Sequence, residues 1–248
     1  MRNELIRLAI QHNGEYGALK RALENHEKPD PTIRVQRALT ILDEDYPAKL
    51  RDLKCPPYVL FYIGNRELLK TECLSIVGTR NPTYYGIHAT QQLVDALKGR
   101  YTLISGMARG IDTIVHRSAE KTIGILGNGL NYDYPAENRS LYRYMREKQL
   151  LISEYPLDSP PRRYHFPFRN RLIAALADDT VVMQAGRKSG SLLTAAEAIK
   201  LNRRVHALVY PYDDASGQGC NELIASGALM LSDGSFRRLR EENQSVDK

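Results

Sequence analysis

Four times in this chain an apolar, strand-like run ends in a glycine turn from which a helix-like segment departs. The turns are Gly78-Thr79-Arg80, Ser105-Gly106-Met107-Ala108-Arg109-Gly110, Gly127-Asn128-Gly129 and Ser189-Gly190-Ser191. Strands that alternate with helices are joined by right-handed crossovers and form a parallel, doubly wound sheet. In such a sheet every strand-to-helix turn lies on one edge, at the strand carboxyl ends, where ligands bind. Helix N-termini and free backbone N–H groups on that edge favour anions. Two of the four turns also carry an arginine, Arg80 and Arg109.

The periodicity of the rest supports this fold. Strands are expected at 58–63, 74–77, 101–105, 122–126, 150–154, 180–184 and 204–209. Helices are expected at 86–97, 111–120, 136–148, 168–177, 192–201 and 220–226. The segment 1–44 reads as a small helical appendage, with Leu5, Leu8 and Ala9 and then Leu19, Ala22 and Leu23 at helical spacing and a further short helix at 33–42. Residues 45–232 read as one α/β domain, and 233–248 as a charged tail that is loosely ordered from Phe236 to Lys248.

Composition narrows the class. The 248 residues carry a net charge of +6, which favours an anionic partner without proving one. The three cysteines, Cys55, Cys73 and Cys220, form no CxxC pair, so neither a disulfide framework nor a zinc site is expected. No apolar signal core opens the chain and no run is long enough to span a membrane, so a cytoplasmic protein is expected. The P-loop pattern, the GxGxxG fingerprint and the GxSxG elbow are all missing. Asp112 and His116 stand four apart and could join a metal site. Without a third ligand nearby, a helix cap at Asp112 and a hydrogen-bonded His116 are expected instead.

The segment from Pro160 to Arg171 concentrates Arg162, Arg163, Arg169 and Arg171 with His165, Tyr164, Phe166 and Phe168. It follows a strand and reads as a loop on the same edge. Arginines can pair with phosphates and aromatic faces can stack on bases. Equally, Phe166 and Phe168 could anchor the loop while Arg169 and Arg171 bond to carboxylates or carbonyls. Gly78, Gly106 and Gly190 could serve only as turns of positive φ.

Seven segments occur in the order and spacing of a known family: SIVGTR (75–80), SGMARGIDTIVH (105–116), LGNGLNYDYPAEN (126–138), LISEYP (151–156), HFPFRNRLIAAL (165–176), SGSLLTAAEA (189–198) and GCNELIASGA (219–228). Over about residues 45–231 the chain resembles the DprA/Smf family of DNA-processing proteins of natural transformation. The resemblance implies an extended Rossmann-like fold that binds single-stranded DNA without strong sequence preference. It also implies loading of a RecA-type recombinase, displacement or bypass of single-strand-binding protein, and homodimerisation. No catalysis and no cofactor are implied. The matching DNA pocket would use Gly78, Thr79, Arg80, Gly106, Arg109, Arg162, Arg163, Phe166, Arg169, Asn170, Arg171, Ser189 and Gly190, with Arg80 as the principal contact. Phosphates would dock on the N–H groups of the Gly78 and Gly106 turns. About four neutralised phosphates would give a log–log salt slope near −3. The apolar stretch 223–231 is a candidate dimer surface.

The chain departs from the family in several places. Val209-Tyr210-Pro211-Tyr212 stands where relatives carry Pro-Gly, and Gln184 where an acidic residue is common. The helical N-terminal segment is short, and the winged-helix-like C-terminal domain of some members is not expected. A rival reading is a nucleotide phosphoribohydrolase of the lysine-decarboxylase-like group. Thr194-Ala195-Ala196-Glu197 keeps that group's Thr-x-x-Glu spacing, with Glu197 as the carboxylate. Leu192 and Leu193 break the glycine pattern that should accompany it, and a surface helix residue is the expected role.

Overall fold

The computed structural model describes residues 1–232, so the expectation of a loosely ordered tail lies outside the described residues. One nine-stranded sheet organises the chain, in the order β1-β2-β6-β5-β4-β3-β7-β8-β9. The strands are β1 (Ala38–Thr40), β2 (Val59–Gly64), β3 (Cys73–Val77), β4 (Thr102–Ser105), β5 (Thr122–Leu126), β6 (Leu150–Ser153), β7 (Asp179–Val182), β8 (Arg204–Leu208) and β9 (Leu229–Leu231). Pairing is parallel from β6 through β9, while β1–β2 and β2–β6 are antiparallel. The expected mostly parallel, doubly wound α/β sheet is therefore what forms.

The helices are α1 (Arg2–Gln11), α2 (Tyr16–Glu24), α3 (Tyr84–Ala96), α4 (Ile111–Ser118), α5 (Arg139–Lys148), α6 (His165–Ala175), α7 (Ser191–Lys200) and α8 (Gln218–Ala225). Alternating side chains of one strand serve two cores. Leu60 and Tyr62 of β2 join the main core, while Val59 and Phe61 join a second core with α1, α2 and α5. β6 divides in the same way, Leu150 and Ile152 against Leu151. The N-terminal helices thus bury Leu5, Leu8, Ala9, Leu19 and Ala22 in that second core.

The sheet edges hold two strands that the periodicity did not mark. Residues 33–42 do not form a helix; Ala38–Thr40 is an edge strand, registered so that Thr40 faces Val59. Three apolar-rich residues carry no usable period, and pairing with β2 decides their state. The stretch 223–231 likewise ends in an edge strand, β9, aligned parallel with β8. A third difference matters for the site. α6 begins at His165, three residues before the expected start at Phe168. Pro167 sits in the first turn, where its missing N–H breaks no helical bond.

Chain order sets where a ligand can enter. From β3 the chain steps outward through β4, β5 and β6, then returns to the other side of β3 as β7 and continues to β8 and β9. The connections leaving β3 and β7 therefore run in opposite directions across the sheet and leave a crevice at their carboxyl ends.

Candidate nucleic-acid interface

The crevice is open, with a cleft of about 690 Å³. Its walls are the segments after β3 and β7, the first turns of α6, and the loop after β4. Of the expected residues, Gly78, Thr79, Arg80, Arg163, Phe166, Arg169, Asn170, Ser189 and Gly190 line it. Arg109, Arg162 and Arg171 do not, and Gly106 lies just behind the wall.

Close packing explains Gly78 and Gly106 better than turn geometry, whereas a Cβ on Gly190 would meet nothing within 4 Å. Gly78, Gly106 and Gly190 all lack the positive φ of the alternative reading. A Cβ on Gly78 would lie 2.5 Å from Ile111 Cγ1, so glycine lets α4 press against the end of β3. The following residues are pinned as well. Thr79 N–H donates to Gln184 O at 2.8 Å, and Ile111 N–H donates to Thr79 O at 3.2 Å. Gly110, with φ +73°, approaches so closely that a Cβ would meet Thr79 O at 2.4 Å. Arg80 thus leaves a rigid turn. It is exposed and makes no hydrogen bond or ion pair among the described residues.

Helical periodicity sorts the basic segment. Phe166, Pro167, Arg169, Asn170 and Ile173 face the cleft, as neighbours three and four apart on a helix must. Phe168 and Arg171 face the other way. Arg171 is buried, grips Glu154 through two bonds of 2.5 and 2.7 Å, and lies over the Phe168 ring at 3.8 Å. Its expected DNA role is a correction: pairing with the distant Glu154 turns this guanidinium away from the cleft.

Arg169 lies under the cleft rather than in its mouth. It is 5% exposed and donates to Gly106 O at 2.8 Å and to Ile125 O, tying together the ends of β4 and β5. Burial pushes its pKa down from the ordinary guanidinium value, while the nearby Asp112 carboxylate opposes that shift. Asp112 accepts N–H bonds from Gly106 at 3.2 Å and Ala108 at 3.1 Å. It therefore braces the preceding loop rather than capping α4, whose N-cap is Gly110. His116 bonds to Thr122 Oγ1 at 2.7 Å, and no cluster of metal-ligating side chains occurs among the described residues.

These contacts also correct the expected phosphate seat. The Gly106 N–H is taken by Asp112 and the Thr79 N–H by Gln184 O. Guanidinium charge is what the cleft offers, from Arg80 and Arg163, both exposed and unpaired among the described residues. Lys188, beside Ser189, is exposed and unpaired as well. Arg109, by contrast, is exposed but pairs with Glu137 outside the cleft. Arg162 is spent on Tyr164 Oη at 2.8 Å and on Glu15 at 3.6 Å.

The cleft that Arg80 lines also holds an aromatic pair. The Phe166 and Tyr134 ring centroids are 5.5 Å apart, and Tyr134 is 45% exposed. Gly127 makes room for them, since a Cβ there would lie 2.9 Å from Phe166 Cδ1. Tyr134 is absent from the expected site. Its only sequence signal was membership of the 126–138 segment, because contact with Phe166 spans two separate strand ends. The rival carboxylate, Glu197, is half-buried outside the cleft and pairs with Lys200 at 2.7 Å. Gln184, at the position where an acid is common, holds the edge together: its Oε1 accepts from Thr83 N–H at 2.9 Å and its Nε2 donates to Ser216 Oγ at 2.7 Å.

Residues 37–237 match the family model of DNA recombination-mediator protein A. The chain is 40% identical over 218 residues to Protein Smf of Synechocystis, covering 84% of this chain and 54% of that one. It therefore spans about half the length of that relative. The X-ray structure of DNA processing protein A from Streptococcus pneumoniae superposes with a TM-score of 0.82 at 29% identity, over 96% of this chain and 95% of that one. The homologue from Helicobacter pylori, whose structure was described for its single-stranded DNA binding mode, gives 0.77 at 32% identity, over 83% and 95% of the two chains.

Proposed function

The chain belongs to the DNA recombination-mediator protein A family, and from that premise we propose that its cleft holds single-stranded DNA for delivery to a RecA-type recombinase during transformation or recombination. The observation that carries this reading is Arg80: an exposed guanidinium on a pinned turn at the sheet's switch point, unpaired among the described residues and sharing the cleft with the Phe166–Tyr134 pair. A phosphate would pair with Arg80, with Arg163 and Lys188 adding charge. One or two bases would turn toward Phe166 and Tyr134, where stacking tolerates any sequence. Holding a strand in this way needs no chemical step on the DNA.

Homodimerisation and contact with single-strand-binding protein belong to the same proposal. The dimer surface would be the stretch 223–231, where Leu229 and Met230 are 48% and 52% exposed on the edge strand β9. Two clefts on one dimer would hold a longer strand through effective concentration.

Replacing Arg80 by alanine tests the reading. Loss of a charge-assisted bond should weaken oligothymidylate binding by roughly 1–3 kcal/mol, read by fluorescence anisotropy at fixed salt. Wild-type affinity in that variant would remove the cleft from the account.

A further inference from the structure

Beyond Arg80, on the same sheet edge, stand the two most exposed tyrosines among the described residues. Tyr84 opens α3 and is 83% exposed; Tyr212 follows β8 and is 90% exposed. β3, β7 and β8 are adjacent and parallel, so the segments that leave them share one surface. Neither tyrosine side chain makes a hydrogen bond among the described residues, yet the segment carrying each is tied down. Tyr85 Oη donates to Val209 O at 3.1 Å, and its ring meets Tyr210 edge-on at 5.1 Å. Tyr210 Oη in turn donates to Met183 O at 2.9 Å. The Gln184 side chain bridges the two segments from below. Tyr84 lies nearly parallel to His88, with centroids 6.1 Å apart.

We propose that Tyr84 and Tyr212 form a base-stacking extension of the cleft, on which a single strand leaving Arg80 lays its next bases. This rests on the proposed single-stranded DNA reading and goes beyond it by assigning a second subsite. Large aromatic rings on a pinned backbone are a surface that meets something. Tyr84 stands four residues after Arg80 on the connection that leaves β3, which makes the occupant a nucleic-acid strand. The local charge sets its orientation. Asp213 is exposed beside Tyr212, and Asp214 Oδ1 accepts from Ser216 N–H at 2.8 Å. These carboxylates repel phosphates, so bases face the rings while the backbone stays on the Arg80 side.

The test compares two oligothymidylates, one of about six nucleotides that fills only the cleft and one about three times as long. Tyr84→Ala combined with Tyr212→Ala should leave the short oligomer bound as in the wild type and weaken the long one about tenfold. Tyr84→Phe with Tyr212→Phe, which keeps both ring faces, should restore it. A long oligomer carrying 5-iodouracil should crosslink to Tyr84 or Tyr212. Unchanged binding of the long oligomer by the alanine pair overturns the extension. So does a change in sedimentation mass, which would make the patch an interface between copies of this chain. Arg80→Ala separates the two readings. If it weakens both oligomers while the tyrosine pair alters neither, the extension alone falls; if it weakens neither, the cleft falls and the extension with it.

Discussion

Replacing Arg169 with alanine should destabilise the protein rather than merely empty its cleft. The side chain is 5% exposed and bonds the carbonyls of Gly106 and Ile125, and the buried Asp112 carboxylate lies alongside. Removing the guanidinium takes a charged donor from the Gly106 and Ile125 carbonyls. Hydrogen bonds to a charged donor contribute about 1.5–3 kcal/mol each. The loss of two such bonds gives an expected destabilisation of about 4 kcal/mol. For a chain of this length that corresponds to a fall of about 10 °C in Tm. Arg169→Lys keeps the charge without the planar fork and should fall between the two. Arg80→Ala, at an exposed and unpaired site, should stay within about 0.5 kcal/mol of the wild type. Urea unfolding followed by far-UV circular dichroism measures all three. If Arg169→Ala kept the wild-type midpoint while losing DNA affinity, the buried role assigned to Arg169 would be refuted and the residue would return to the ligand-binding set.

Two further outcomes follow from named contacts. Burial, reinforced by the Arg169 charge, pushes His116 down to about 3. An unfolded imidazole takes up a proton below about 6.5. Between those values the unfolded state holds the extra proton, so His116 makes stability fall as pH falls, by up to about 1.4 kcal/mol per pH unit. Urea midpoints at pH 7 and pH 5 should therefore converge in His116→Leu relative to the wild type, and parallel losses would refute the assignment. Glu15 of the N-terminal segment accepts from Tyr164 Oη at 2.7 Å and meets His165 Nε2 at 3.1 Å, clasping the chain just before and at the start of α6. Glu15→Ala should speed trypsin cleavage at Arg162 and Arg163, with an unchanged digestion rate as the contrary result.

The central sheet was legible because its buried strands are short β-branched and leucine runs closed by glycine turns. β5 even matches its expected bounds. The edge strands β1 and β9 were not legible, since three residues owe their state to the strand beside them. Within the site, Gly78, Thr79 and Arg80 followed from their place after β3. The fates of Arg109, Arg162 and Arg171 did not, because their partners Glu137, Glu15 and Glu154 lie far away in sequence. The glycine turns were recognised, but for a different reason from the operative one: at Gly78 and Gly106 the constraint is a neighbour's approach, not a left-handed φ. The alternative open at the outset for Arg169 and Arg171, bonding to carbonyls and carboxylates, is the one the fold adopts.

The central claim is that a strand is held by a few unpaired cations and by ring faces. Single-stranded DNA affinity measured across salt, with duplex of equal length as competitor, tests it most directly. With Arg80, Arg163 and Lys188 as the available charges, about three phosphates are neutralised, and log affinity should fall against log salt with a slope near −2 rather than the −3 first expected. Duplex should compete poorly, since its bases are not free to meet Phe166 and Tyr134. A flat salt response, or duplex competing as well as single strand, would contradict the account.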